Sequence, residues 1–322
     1  PGGAAVEYAH RDVLRRMRRA SLALLRDDVA PVGGDALTRY LTGWQGVGGK
    51  RRGSDRLREV VGQLEGVPLS FATLERSILP ARVQGYHPRM LDELGALGEV
   101  VWVGRGALGS KDGRVALVRR EHLERLGPPP PVPDAADGPL HRALRQHLER
   151  RGASFLTDLL RVGEPATAAE VRAALWDLVW AGQVTNDTFM PLRTLGAARR
   201  RGRSQVVAGG RWSPVQGLLW GEVEPTRVLH GRVQALLDRY GIVSREMALA
   251  EELQGGFAAA YPVLRAMEEA GRVRRGLFVE GLGGAQFAVA GAVDRLRRAR
   301  DEGDQAVVVL AATDPANPWG AL

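Results

Sequence analysis

The chain has 322 residues with 44% hydrophobic and 25% charged side chains, which predicts two or three folded domains and excludes wholesale disorder, collagen and coiled coil. It contains no cysteine, so disulfides, thiolate nucleophiles, cysteine-ligated zinc and iron–sulfur clusters are ruled out. A formal charge of +8 points to nucleic acid or another polyanion as partner; almost all of the basic residues are arginine, so biased composition stands beside that reading. The longest apolar run, Ala306 to Ala312, is far shorter than the roughly 20 residues of a membrane helix, and no signal-peptide h-region is evident. The expectation is a cytoplasmic protein with no membrane contact.

From the N-terminus, Tyr8 to Val29 spaces Val13, Leu14, Met17, Leu24 and Leu25 as one helical stripe, with Arg11, Arg15, Arg18, Arg19 and Arg26 on the other faces. Residues 1–53 are therefore read as an N-terminal helical segment. Beyond them the chain repeats itself. MLDELGALGEVVWV from Met90, AALWDLVWAGQVTND from Ala173 and PVLRAMEEAGRVRRG from Pro262 align Leu91 with Leu175 and Leu264, then Gly98 with Gly182 and Gly271, then Val100 with Val184 and Val273. Each glycine stands where a helix stop needs a left-handed residue, and each valine opens a run with strand character. Ser70, Thr167 with Glu170, and Ser244 supply start signals for helices upstream.

Three helices followed by a two-stranded wing define the winged helix-turn-helix. The fold expected is mainly α with small β-hairpins, in tandem winged-helix modules. They occupy 54–126, 137–213 and 214–303, the last with its helical pattern from Glu224 to Arg300. A proline-rich linker at 127–136 separates the first two, and 304–322 reads as a strand and turn opening a further domain. Within the second module, Gly196 to Gly210 reads as a long basic wing or loop.

No catalytic or metal-binding constellation emerges. GRGALG at Gly104 to Gly109 has the letters of a dinucleotide fingerprint but is followed by another strand, so it reads as a wing turn. Gly49-Lys50 is followed by Arg51 rather than Ser or Thr, so there is no phosphate loop. Six scattered histidines offer no ligand set, and no serine-nucleophile elbow occurs. Asp314 and Gln286 are the polar residues to inspect for chemistry, against ordinary roles in a turn and a wing. Trp176 and Trp180, four apart, read as core rather than as a base-stacking platform; Trp102, Phe278 and Phe287 on the wings could face either core or nucleic acid.

The third helix of each module is net acidic: Asp92 and Glu93 oppose Arg89, Glu170 and Asp177 oppose Arg172, and Glu268 and Glu269 oppose Arg265. Sequence-reading helices present basic or amide groups to base edges, so a sequence-specific regulator fits poorly. Basic residues cluster elsewhere, in wings, loops and other helices, which suits phosphate contact without base reading. The candidate nucleic-acid-binding residues are Arg199, Arg200, Arg201, Arg203, Arg274 and Arg275.

Specific strings carry a resemblance beyond the repeat: EYAHRDVLRRMRRASLALLRDDVAPV, WQGV at Trp44, ILPARV at Ile78, WDLVWAGQVTND, GGFAAAYPVLRAMEEAGRVRRGLFVEGLGGAQFA and ATDPANPWG. Together they resemble the C-terminal region of Lhr, the large helicase-related proteins, in their long actinobacterial form. The resemblance implies a fragment of a superfamily 2 helicase that moves 3′ to 5′ on single-stranded DNA, unwinds duplexes including RNA:DNA hybrids and serves DNA repair. ATP and Mg²⁺ would belong to motor domains upstream, with no cofactor in this segment. It also implies tandem winged helices followed by a β-barrel, whose first strand would begin at Ala306, and homo-oligomer assembly. The same plan resembles DNA glycosylases that use a Gln-x-Gln pair; Gln45, Gln63, Gln84, Gln183 and Gln286 are all isolated. The expected role is a non-motor array that self-associates and contacts single-stranded DNA or RNA:DNA hybrid without reading sequence, with a base-excision glycosylase and a sequence-specific regulator as alternatives.

Overall fold

The computed structural model describes residues 10–27, 31–127, 137–162, 165–195, 209–219, 224–301 and 307–320. The chain divides into two compact units, one of residues 1–40 with 240–305, the other of residues 41–239 with 306–322.

In chain order the helices are α1 (Arg11–Asp27), α2 (Gly34–Trp44), α3 (Ser54–Gln63), α4 (Phe71–Thr73), α5 (Leu79–Arg82), α6 (Pro88–Ala96), α7 (Leu123–Leu126), α8 (Pro139–Arg151), α9 (Leu156–Val162), α10 (Ala168–Trp180), α11 (Met190–Thr194), α12 (Pro225–Tyr240), α13 (Arg245–Ala250), α14 (Gly256–Glu269) and α15 (Ala292–Asp301). A π-helical turn, Leu74–Ile78, joins α4 to α5. The strands are β1 (Leu69–Ser70), β2 (Val100–Leu108), β3 (Asp112–Arg119), β4 (Val184–Asn186), β5 (Trp212–Pro214), β6 (Ile242–Val243), β7 (Val273–Gly276) and β8 (Gln286–Val289).

The repeat is realised residue by residue. Gly98, Gly182 and Gly271 all have positive φ, at 71°, 73° and 73°, a backbone region that only glycine enters without steric cost. They end α6, α10 and α14, and Val100, Val184 and Val273 then open β2, β4 and β7 as buried residues. The start signals are used as well. Ser70 Oγ accepts from the Thr73 amide, Thr167 and Glu170 form a reciprocal capping box, and Ser244 Oγ accepts from the Met247 amide. The Thr167 hydroxyl and amide, donating to the Glu170 carboxylate, hold its pKa below the ordinary range.

Two sheets share one plan: β1-β3-β2 in the first module and β6-β8-β7 in the third, antiparallel throughout. A short strand between the first two helices thus completes each wing. The second module keeps a smaller two-stranded sheet, β4-β5. The GRGALG stretch lies within β2, with a bulge between Gly104 and Ala107, and β2 turns directly into β3. It is a wing, as the absence of a following helix requires.

In the larger unit, one hydrophobic core runs from Leu57 on α3 through Trp102 and Leu117 to Leu175, Phe189 and Trp212. Modules one and two therefore share a core. In the smaller unit, α14 and the wing close around Phe257, Tyr261 and Phe287, whose rings meet edge-on or tilted at 5.7 to 6.4 Å. Val32 adds to that wing by bridging Val279, exchanging backbone hydrogen bonds with Phe278 and Glu280.

Candidate interaction surfaces

A winged helix meets nucleic acid through its third helix and its wing, so what those elements touch defines what the array can do. In the first module the third helix is α6. Its Asp92 carboxylate receives Arg193 Nη1 at 2.8 Å, and the same guanidinium donates to Glu75 through Nε at 2.8 Å. Burial opposes the charge of Arg193, but the two carboxylates more than offset it and hold its pKa above the usual value. Phe189, just ahead of α11, stacks on Phe71 at 6.2 Å and covers Gly95 of α6. The face of α6 is thus occupied by protein.

In the second module the third helix is α10, and the first module's wing lies on it. Gly104 of β2 approaches the Val179 carbonyl so closely that a Cβ there would overlap it, and Gly113 of β3 fits under the Trp180 ring. Trp176 and Trp180 stack at 5.0 Å, and Trp176 meets Trp212 edge-on at 5.8 Å. Trp102 Nε1 donates to the Thr188 carbonyl at 3.0 Å, and Thr185 Oγ1 donates back to the Trp102 carbonyl. The tryptophans are packing residues, and Trp102, Phe278 and Phe287 are all buried.

The two polar residues singled out for chemistry have structural partners. Gln286 is buried; its Oε1 accepts the Phe278 and Val279 amides and its Nε2 donates to the Val279 and Leu282 carbonyls, closing the third module's wing. Asp314 is 2% exposed and forms a two-point ion pair with Arg82, which is 0% exposed. Arg82 Nη2 also donates to Gln45 Oε1 at 2.6 Å. An arginine enclosed in the apolar string ILPARV was the sequence signal for a buried charge; Asp314 was singled out as a polar residue, but nothing local tied it to an arginine 232 residues away.

Residues 307–320 carry no ladder and no barrel occurs among the described residues, while Ala306, where the strand was expected to begin, lies outside them. Successive turns take up the backbone groups instead, through Asp314 N to Ala311 O, Asn317 N to Asp314 O and Gly320 N to Asn317 O. Val307 and Val309 stand exposed.

Of the candidate nucleic-acid residues, Arg199, Arg200, Arg201 and Arg203 lie outside the described residues. Arg274 is exposed on β7, whereas Arg275 turns inward, donating to Tyr261 Oη at 2.8 Å and pairing with Glu268 at 3.5 Å. In the same unit α1 lies against β7. Arg15 and Arg19 of α1 reach Glu269 at the end of α14, at 3.2 and 3.6 Å, and Arg18 hangs over Gly271. Two basic clusters separated in sequence by some 250 residues are thereby joined.

No group of acidic and histidine side chains that could hold a metal occurs among the described residues. Gly46 to Gly49 form a turn whose Gly48 amide donates to Ala81, so no anion cradle runs into a helix at Lys50. No helix among the described residues is long and apolar enough to cross a membrane.

These features define a winged-helix protein whose third helices in the larger unit are turned to protein. Two family models, each described as a large helicase-related protein winged-helix domain, match residues 32–120 and 222–308; they are the third and fourth such domains of the family. The chain belongs to the large helicase-related (Lhr) family and corresponds to its C-terminal region. It is 41% identical to "Lhr helicase/probable uracil glycosylase" of Mycolicibacterium smegmatis over 98% of its length, and 36% identical to "Lhr helicase/uracil glycosylase" of Escherichia coli over 97%. It spans 23% of each of those proteins. Among solved structures it resembles Streptomyces sahachiroi DNA glycosylase AlkZ, with a TM-score of 0.52 and 14% identity over 83% of this chain and 72% of that one, a likeness of fold.

Proposed function

We propose that this segment is a non-motor scaffold of an Lhr-type helicase, binding nucleic acid without reading sequence and providing self-association surfaces. The observation that carries the reading is the engagement of α6 and α10 by protein: the first by Arg193 and Phe189, the second by the wing of module one. Acidic residues of α6 and α14 serve as ion-pair partners for arginines on neighbouring elements, Asp92 for Arg193 and Glu269 for Arg15. With base-reading helices spent in this way, the arginine surplus is left for phosphate contact. Translocation, ATP and Mg²⁺ would belong to motor domains outside this segment, and the location would be cytoplasmic.

The test is twofold. Binding of random-sequence single strands, duplexes and RNA:DNA hybrids should be of similar strength and fall steeply with salt. Light scattering should give a mass above 34.8 kDa. A strong preference for one sequence would sink the reading.

A second reading, base excision, is favoured by the names of both relatives, which couple helicase with uracil glycosylase. Glycosylases extrude the target base. Alkali-labile sites appearing in uracil-containing DNA treated with this segment would establish it; intact DNA would leave the activity to other parts of such proteins.

A further inference from the structure

An amphipathic helix on a folded domain ordinarily buries its apolar stripe and gives its charges to water. In α1 the arrangement is the reverse. At 3.6 residues per turn, Arg11, Arg15, Arg18 and Arg19 fall within one arc of about 100°, and this is the arc that reaches the module, since Arg15 and Arg19 contact Glu269 and Arg18 overlies Gly271. Val13, Leu14 and Met17 are exposed.

The crease so formed is under-neutralised. Glu269 is shared by Arg15, Arg19 and Arg265, and the Arg15 guanidinium, chief among them, holds its carboxyl below the ordinary range. Glu268 is taken by Arg275. Asp12 lies beside His10. Against these few carboxylates stand Arg11, Arg16 and Arg18 on α1, Arg272 just ahead of β7 and Arg274 on it, all exposed. β7 is an edge strand, so its outward arginines are not screened by a further strand. Like charges gathered at short range repel unless a counter-charge enters. A row of phosphates supplies that counter-charge with a repeat that matches no particular base.

We propose that the crease between α1, the end of α14 and β7 is the seat of a nucleic-acid phosphate backbone, with Arg11, Arg18, Arg272 and Arg274 as its contacts. The proposal rests on the sequence-independent binding put forward above and gives it a place in the smaller unit. Arg15 and Arg19 hold α1 in position and are not counted among the contacts.

The experiment compares the whole chain with Arg18→Glu/Arg272→Glu/Arg274→Glu and with Arg150→Glu/Arg151→Glu/Arg161→Glu, which makes the same charge change on exposed arginines of the other unit. Labelled oligothymidylate of about 20 nucleotides, a duplex of equal length and an RNA:DNA hybrid are titrated by anisotropy over a range of salt. The crease variant should bind about tenfold or more weakly near 100 mM salt, with the slope of log K against log salt smaller by about two to three, one unit for each phosphate released. The control should lose far less. The glutamine versions of the same three positions, with unchanged circular dichroism, guard against misfolding. Which probe loses most tells whether single strand, duplex or hybrid lies there. Equal losses in crease and control variants overturn the site while leaving the general reading intact; no binding by the unaltered chain overturns both.

Discussion

The third helices of modules one and three begin from the same pattern and end in different surroundings. In the larger unit α6 is covered by an aromatic ring and by an arginine held between two carboxylates, and its wing is buried against α10. In the smaller unit α14 ends in Glu269, which is met by exposed ion pairs from α1 and from Arg265. The lesson is that one motif can be cemented by desolvated contacts or touched by solvated ones, and the two differ in energy by an order of magnitude. Exposed ion pairs contribute about 0–1 kcal/mol, whereas a buried aromatic contributes about 3–5 kcal/mol when truncated.

That contrast can be broken first at the shared core. Trp102→Ala should cost about 3–5 kcal/mol, and because one core spans both modules, urea denaturation should lower both together in a single transition. Separate transitions would show that the modules fold independently. Asp314→Ala should cost about 3–5 kcal/mol by leaving Arg82 charged and buried without its partner. Replacing the pair by Arg82→Met with Asp314→Leu should recover most of that loss, as measured by the same denaturation.

A smaller effect is expected at the wing. Gly104→Ala would push a methyl group into the Val179 carbonyl, at about 1–3 kcal/mol, with broadened NMR signals for α10 but not for α14. Smallest is the surface contact. Glu269→Gln should leave global stability almost unchanged, because solvent screens the pair, while increasing fast motion of α1 amides in nitrogen-15 relaxation. The same contact gives a pH signature. Because the folded-state pKa of Glu269 lies below its reference value of 4.5, its contribution is present above that pH and is lost as pH falls below it, so α1 should loosen on acidification, and Glu269→Gln should remove the change.

Much of this was legible in the sequence because it depends on neighbours in the chain. Gly98, Gly182 and Gly271 mark helix stops through their own backbone freedom, and Ser70, Thr167 and Ser244 cap helices that begin one residue later. The acidity of the third helices was readable too, as was the unsuitability of GRGALG for a dinucleotide. The strand expected from Ala306 has no ladder over the described residues 307–320. Its residues have strand propensity, but propensity yields to tertiary context, and here the Asp314 side chain is drawn into the Arg82 and Gln45 cluster.

Sequence by itself determined the repeated helix stops and caps, the family and the excess of arginine, since each follows from local periodicity, capping chemistry or composition. Only the tertiary structure decided where each arginine goes. Arg193 is spent between Glu75 and Asp92, Arg82 is buried against Asp314, Arg275 is turned to Tyr261, and Arg18 is laid beside Gly271. The reason is physical: whether a guanidinium is a core ion pair or a free contact for phosphate depends on the carboxylates that folding brings within a few ångströms, and those lie up to 254 residues away along the chain.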